Sequence, residues 1–328
     1  MHSRRHRAAK GDGLRPNDRA PGRYEAPRFA PVDCRPWAGC PDGGPPLRDI
    51  CAARSVPAEK GEVRSVLEGD NQPGDRMNRE ELGRYVGVTG YTLGHVEKDY
   101  LQHVVLGGLS RRMAGFLVFK GGTALQKTGV VQRFSEDLDF SAVGDIVLGR
   151  AVDAATATLG SLNLACGVDQ TVERDRAAGF RLKIQGPLHR DGRGLCTIRV
   201  EISKREAVAL RPETREFAPP YPDILPYIFD VMKGEEILAE KLRALSTRQK
   251  ARDLYDAYML LRKGARLDIS LADGKMQYYG RRLDVPALQD KLELLGAGWA
   301  RELEGILDDV PPFGEVIAAV KTALKAAR

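Results

Sequence analysis

Residues 119–141 read "FKGGTALQKTGVVQRFSEDLDFS". A short apolar run ends in Gly-Gly-Thr, and an Asp-Leu-Asp triplet follows in an apolar setting. In an extended strand, residues i and i+2 point to the same side. Asp137 and Asp139 therefore aim their charges at one place. Like charges held that close repel, and leaving them unneutralised is costly. Something positive is expected beside them, and a divalent cation is the first candidate.

Working outward, "FLVFK" (116–120) is a short apolar run of strand type, Gly121-Gly122 turns the chain, and "TALQK" is a short helix begun by Thr123. Further on, in "TIRVEIS" (197–203), Ile198, Val200 and Ile202 alternate with Arg199, Glu201 and Ser203. Glu201 thus lies opposite the apolar face. If this strand lies beside "DLDFS", Glu201 joins Asp137 and Asp139 as a third carboxylate. Such a set suits Mg²⁺ (or Mn²⁺), a hard cation that takes oxygen ligands and shares itself between carboxylates and substrate phosphates. Two such ions can activate an attacking hydroxyl and neutralise a leaving pyrophosphate. The glycines let backbone N–H groups approach the phosphates of an NTP. Ser135 either contacts a phosphate or caps the turn. A lone D-x-D is common in exposed strands and turns, but the ordered succession of these pieces is restrictive.

The remaining chain falls into three parts. Residues 1–76 hold ten Pro and nine Gly without periodicity, the composition of an unfolded extension. It reads as a flexible tail or an upstream extension with Met77 as the working start. The other reading is an RNA-contacting arm, disfavoured by a surplus of only three Lys/Arg over Asp/Glu. Order is expected from Asn78, an N-cap followed by Glu80 and Glu81. A helix over Tyr91–Met113 would place Leu93, Val96, Tyr100, Val104 and Leu109 mostly on one face. A helix over 145–160 and strands at "VDQTVERD", "FRLKIQG" and "LCTIRVEIS" follow, the last two joined by the hairpin signal "LHRDGRG". "RPETREFAPPYPDILPY" reads as a proline-rich connection. Helical patterns then cover about 235–246, 248–263, 286–295 and 313–327. The expectation is an α+β domain over 77–232, a mixed sheet with flanking helices, and a helical domain over 233–328 that completes the site.

The 328 residues carry a formal net charge of +6 and 42% hydrophobic residues. A core is expected, and a polyanionic partner is only weakly suggested. No run of eighteen apolar residues exists, so no spanning helix is expected, and the basic N-terminus has no apolar segment of a secretory signal. Five cysteines at irregular spacing are no disulfide framework, and Cys34, Cys40 and Cys51 lack the paired spacing of a zinc site. A reducing cytoplasm is the expected compartment. There is no G-x-S-x-G, H-E-x-x-H or P-loop lysine, so acyl transfer and P-loop chemistry are not indicated. His95, His103 and His189 are isolated.

"FKGGTAL" followed by "RFSEDLDFS" resembles the first signature of the AbiEii/AbiGii-type nucleotidyltransferase toxin family, which includes MenT-like toxins, a branch of the DNA polymerase β-like nucleotidyltransferases. "VEKDY" (96–100) and "EEILAEKLRALSTRQKARDLYDAYML" (235–260) also look like that family. The resemblance implies the nucleotidyltransferase fold and transfer of an NMP from an NTP to an acceptor, with release of pyrophosphate. It implies that Gly121, Gly122 and Thr123 hold the phosphates, that Asp137 and Asp139 ligate metal, and that Glu201 matches the third carboxylate. Lys241 and Asp253 match positions implied in nucleotide contact and catalysis. Twelve residues apart, they would not share a face of one straight helix, so a break near Ser246-Thr247 is expected. Arg248 reads as part of a solvated, charged helix face.

The resemblance further implies the toxin of a type IV toxin–antitoxin or phage-defence pair, with a separately encoded antitoxin and the tRNA 3′ end as one acceptor. A protein hydroxyl is the alternative acceptor. A non-catalytic nucleotide- or RNA-binding regulator is the alternative class, disfavoured because all three acids are present.

Overall fold

The computed structural model describes residues 77–190 and 192–327. The Pro/Gly-rich extension over 1–76, with Cys34, Cys40 and Cys51, lies outside them. Order opens on a capping box: the Asn78 side chain accepts from the Glu80 and Glu81 amides, and the Glu81 carboxylate accepts from the Asn78 amide at 2.9 Å. Two short helices, α1 (Arg79–Gly83) and α2 (Val86–Thr89), lead into α3 (Leu93–Met113), which is capped by the Thr92 hydroxyl. Burial of α3 extends beyond the face carrying Val96, Tyr100 and Val104. From Tyr100 to Ser110 the helix is buried on every side, polar Gln102 and His103 included. One reason is Gly108, where a Cβ would lie 2.6 Å from the Ala154 carbonyl of α5 (Leu148–Ser161), so the two helices meet backbone to backbone.

The strands are β1 (Leu117–Lys120), β2 (Leu138–Ala142), β3 (Cys166–Arg174), β4 (Ala177–Ile184), β5 (Cys196–Ser203), β6 (Glu213–Phe217) and β7 (Tyr227–Val231). They form one mixed sheet in the order β3-β4-β5-β2-β1-β7-β6. The β2–β5 and β1–β7 pairs are parallel and the others antiparallel. β6 and β7, in and just after the proline-rich connection, were not expected, although Tyr227, Phe229 and Val231 of β7 alternate as buried positions. β6 is an edge strand with mostly exposed charged side chains, so it has no apolar alternation to reveal it.

Helix α4 (Gly121–Lys127) starts at Gly121, two residues before the expected Thr123. The second half holds α6 (Gly234–Thr247), α7 (Ala251–Arg262), α8 (Ile269–Gln277), α9 (Val285–Glu293), a 3₁₀ turn (Leu294–Gly298), α10 (Trp299–Leu303) and α11 (Phe313–Ala326). The break between α6 and α7 falls where the Lys241–Asp253 spacing required it. Neither Ser246 nor Thr247 caps α7, because both hydroxyls bond back to carbonyls of α6. α8 was not foreseen; its buried face carries Lys275 among Ala272 and Met276, which blurs the apolar period.

Two cores result. Leu117 and Phe119 of β1 face the first, with α3, α5 and one side of the sheet. Val118, on the other side, joins Leu125 of α4 and the helices α6, α7, α9, α10 and α11 in the second. A helix layer therefore covers each side of the sheet, the second over its β1 end. No described helix is long and apolar enough to cross a membrane.

Candidate active site

Strand register builds the site. Lys120 on β1 stands opposite Asp139 on β2, Asp139 opposite Glu201 on β5, and Glu201 opposite Gly179 on β4. Directly opposed residues share a face, so a lysine, two carboxylates and a bare glycine lie in one row across four strands. They floor a cleft of about 570 Å³ whose far wall is the helical half, through Glu240, Lys241, Arg248 and Asp253. Asp137 lies two residues before Asp139 and is half-buried, its carbonyl accepting the Thr123 hydroxyl.

The glycines are constrained by this row. Gly121 has φ +76°, a left-handed conformation costly for other residues, and a Cβ there would run into the Asp139 carboxylate. A Cβ on Gly122 would strike the Arg133 guanidinium and lie 2.9 Å from the Ser135 hydroxyl. Thr123 is fully buried, and its hydroxyl is engaged by Ser135 at 2.9 Å and by the Asp137 carbonyl. It therefore ties the glycine turn to the acidic loop. Ser135 is fixed by its amide on Gln126 and its carbonyl on Gln102.

Opposite the acids, Lys241 lies 3.0 Å from Asp253 and 2.6 Å from Asp256. Arg248 grips Asp253 through two nitrogens, at 2.9 and 3.2 Å, and Arg133 grips Asp256 at 2.6 and 2.7 Å. The result is a chain of alternating charge, Arg133–Asp256–Lys241–Asp253–Arg248, running from the loop before β2 across both helices. Burial works against the Lys241 charge, but Asp256 and Asp253 outweigh it and hold its pKa above the ordinary value. Burial likewise opposes the Asp253 charge, yet Lys241 and Arg248 bring its carboxyl down to about 2.

Asp139 is the opposite case. Burial and the Glu201 charge, with a smaller push from Asp137, drive its carboxyl up to about 7 against the pull of Lys120 and Lys241. Lys120 cannot neutralise it fully, because its ammonium is paired with Glu240 at 2.9 Å. Among the described residues, no three His, Cys, Asp or Glu side chains converge as a metal cage. The acids nonetheless fit a hard divalent cation in donor type: all are oxygen ligands, and they are crowded enough to push one toward its neutral form.

Asp139, Glu201, Gly121, Gly122, Lys241 and Asp253 thus line one cleft, while Thr123, Ser135 and Asp137 stand just behind its edge. Sequence reasoning missed Lys120 and Glu240; Arg248 is exposed as expected, but it sits in the break between α6 and α7 and pairs with Asp253. Lys120 was open to discovery, since it ends a strand on the face opposite Phe119. The role of Arg248 depends on the helix break and had no local signal.

A sheet carrying paired acids after a glycine turn, closed by a helix bearing lysine, belongs to the nucleotidyltransferase class. The sequence pattern of the family described as "Nucleotidyl transferase AbiEii toxin, Type IV TA system" matches residues 109–326, about two thirds of the chain. The protein belongs to this family and is a nucleotidyltransferase. No curated protein matches it. Solved structures similar to it include JHP933 from Helicobacter pylori, 20% identical over 72% of this chain and 93% of that one, with a TM-score of 0.48. Another is MenT4, the nucleotidyltransferase toxin Rv2826c from Mycobacterium tuberculosis, 22% identical over 77% of this chain and 99% of that one, also with a TM-score of 0.48.

Proposed function

We propose that the protein transfers an NMP from an NTP to the 3′-terminal hydroxyl of an RNA, tRNA being the first acceptor to test, and so acts as a cytoplasmic toxin held in check by a separately encoded antitoxin, in phage defence or a related role. The observation that carries the reading is the row Lys120–Asp139–Glu201 facing Lys241 and Arg248 across one cleft. Two acids beside a lysine on one wall, with a lysine and an arginine facing them, suit a reaction in which a hydroxyl must lose a proton while a pyrophosphate gathers charge.

In this reading Asp137, Asp139 and Glu201 hold Mg²⁺ or Mn²⁺, which supplies Lewis-acid neutralisation of the phosphates. The residues of the chain do the rest. Glu201, exposed at the cleft, takes the acceptor proton as the acceptor oxygen bonds to the α-phosphorus. The α–β bridging bond breaks and pyrophosphate leaves with the bond's electron pair. Gly121 and Gly122 let the phosphates approach the backbone, and Ser135 supports them. Lys241 and Lys120 offset the charge on the leaving group. Asp253 keeps Lys241 and Arg248 in place. The sheet unit (77–232) would carry the acids and Lys120, and the helical unit (233–328) Lys241 and Arg248.

The test uses purified protein, Mg²⁺ and each α-³²P-labelled NTP, with total tRNA and, separately, with cell protein extract. Label in the tRNA band, lost in Asp139→Ala, is expected. Label in protein alone would replace the RNA acceptor by a protein hydroxyl. NTP binding without any label would leave only a binding protein.

A further inference from the structure

At the end of the cleft beyond Ser203, three elements meet around one aromatic ring. Arg205 comes from the bend after β5, Arg243 from α6, and Tyr279 from the turn after α8. Each guanidinium carbon lies 4.6 Å from the Tyr279 ring centroid. A guanidinium over an aromatic face is held by the ring quadrupole and kept planar against it. The ring is fixed from below: its hydroxyl donates to Glu206 at 2.6 Å, and buried Glu206 lies 3.7 Å from the buried Lys275 ammonium. Lys275 is pinned in turn by Glu236 at 2.6 Å, and Glu236 also accepts the Ala209 and Leu210 amides.

The two arginines differ from the other guanidiniums of the site. Arg248 and Arg133 have their forks occupied by Asp253 and Asp256. Arg205 and Arg243 are held by the ring, and each Nε is buried without a hydrogen-bond partner among the described residues. The nearest carboxylate, Glu206, is turned to Tyr279 and stands 3.7 Å from Arg243. With Glu206 engaged by Tyr279, the terminal nitrogens of two guanidiniums fixed in direction match the oxygens of a phosphate. The adjoining floor adds Arg176 beside the bare backbone at Gly179, with Arg181 paired to Asp169 and Arg199 3.7 Å from Glu201, so basic side chains line the way from the pair of arginines to the acids.

We infer that Arg205 and Arg243, positioned by Tyr279, form a second anion subsite of the cleft, one that takes a backbone phosphate of the acceptor RNA and is distinct from the triphosphate pole at Lys120 and Lys241. This rests on the RNA-acceptor reading above. The subsite orients the strand so that its terminal hydroxyl reaches Glu201, and it leaves the NTP untouched.

The test measures binding of a fluorescein-labelled RNA hairpin with a short single-stranded 3′ end, by anisotropy over a series of KCl concentrations, and binding of NTP by calorimetry. Arg205→Gln and Arg243→Gln are each expected to weaken RNA binding about tenfold, the worth of one charge-assisted hydrogen bond. Each should lower the slope of log affinity against log salt by about 0.7, with the NTP affinity within about twofold of wild type. Tyr279→Leu should weaken RNA in the same way, although it removes no charge, while Arg266→Gln, an exposed arginine outside the cleft, should change neither. Circular dichroism checks folding, and Arg205→Gln, which alters only a bend, decides the matter if Arg243→Gln does not fold. Unchanged RNA affinity and slope in folded variants that lie beside an RNA-binding wild type would overturn the subsite alone. A loss of NTP affinity with RNA binding intact would also overturn it, by assigning the arginines to the nucleotide. A wild type that neither binds nor labels RNA would overturn the acceptor reading, and the subsite with it.

Discussion

Lys241 stands between two carboxylates of the following helix, Asp253 and Asp256, and each of these is closed on its far side by an arginine, Arg248 and Arg133 respectively. The lysine that faces the acids of the sheet is therefore held by the helical half and by the loop before β2 together. A buried pair broken on one side leaves an uncompensated charge, which costs more than the pair itself contributes.

The first prediction concerns Asp256, which pairs with Arg133 and Lys241 and is fully buried. Asp256→Ala leaves both cations without it and should lower stability by about 3–5 kcal/mol. Urea unfolding monitored by circular dichroism reads this directly. A loss below about 1 kcal/mol would mean the alternating chain contributes little.

Gly121 gives a second test. Its φ of +76° and its contact with Asp139 make Gly121→Ala doubly unfavourable. Strain of about 1–2 kcal/mol is expected in the unfolding free energy. Because the methyl group displaces the Asp139 carboxylate, nucleotide transfer should fall by about 100-fold or more, beyond what the loss of stability explains. Equal transfer rates at a temperature where the variant is fully folded would refute this contact as a constraint on the site.

Crowding of the acids predicts opposite effects on stability and activity. Without divalent cation, Asp139→Asn removes a charge that Glu201 and Asp137 repel. The melting temperature should rise, by the equivalent of on the order of 1 kcal/mol, while transfer in Mg²⁺ is lost. Differential scanning fluorimetry beside the labelled-NTP assay checks both. A melting temperature that falls would show that Lys120 and Lys241 depend on the Asp139 charge more than its neighbours suffer from it.

Acid stability should depend on His103. Burial, with the nearby Lys127 ammonium, lowers its pKa to about 3 against the pull of Asp99, and the ring is bonded to the Tyr227 hydroxyl at 2.8 Å. An unfolded histidine takes up its proton near pH 6.5. Between about 6.5 and 3 the unfolded chain holds one proton more at this position, so the contribution is full above 6.5 and is lost as the pH falls, at up to about 1.4 kcal/mol per unit. In His103→Gln the urea midpoint should drop less than in wild type between pH 7 and pH 4.5. Parallel pH profiles for the two proteins would count against it.

The quoted stretch at 119–141 carried the strand-turn-helix-strand order, the paired acids and the alternation that turned Glu201 away from the core. These are local properties, written in periods of two residues and in glycines that accept a conformation other residues resist. The break between α6 and α7 was also open to reasoning, because Lys241 and Asp253 could not share a straight helix. The tertiary structure decided the rest. That Asp139 faces Glu201 follows from a parallel pairing of β2 with β5 across two intervening strands, and parallel partners are joined by distant connections that leave no local trace. β6 exists because β7 offers an edge to pair with, not because its residues alternate, whereas β7 does alternate, with Tyr227, Phe229 and Val231 buried and Ile228 exposed. The charge partners of Lys241, and the ring that gathers Arg205 and Arg243, come from segments far apart in the chain. Charged side chains on a sequence look alike whether they face water or each other. Only packing, which removes the water and leaves each charge to find its partner, tells them apart.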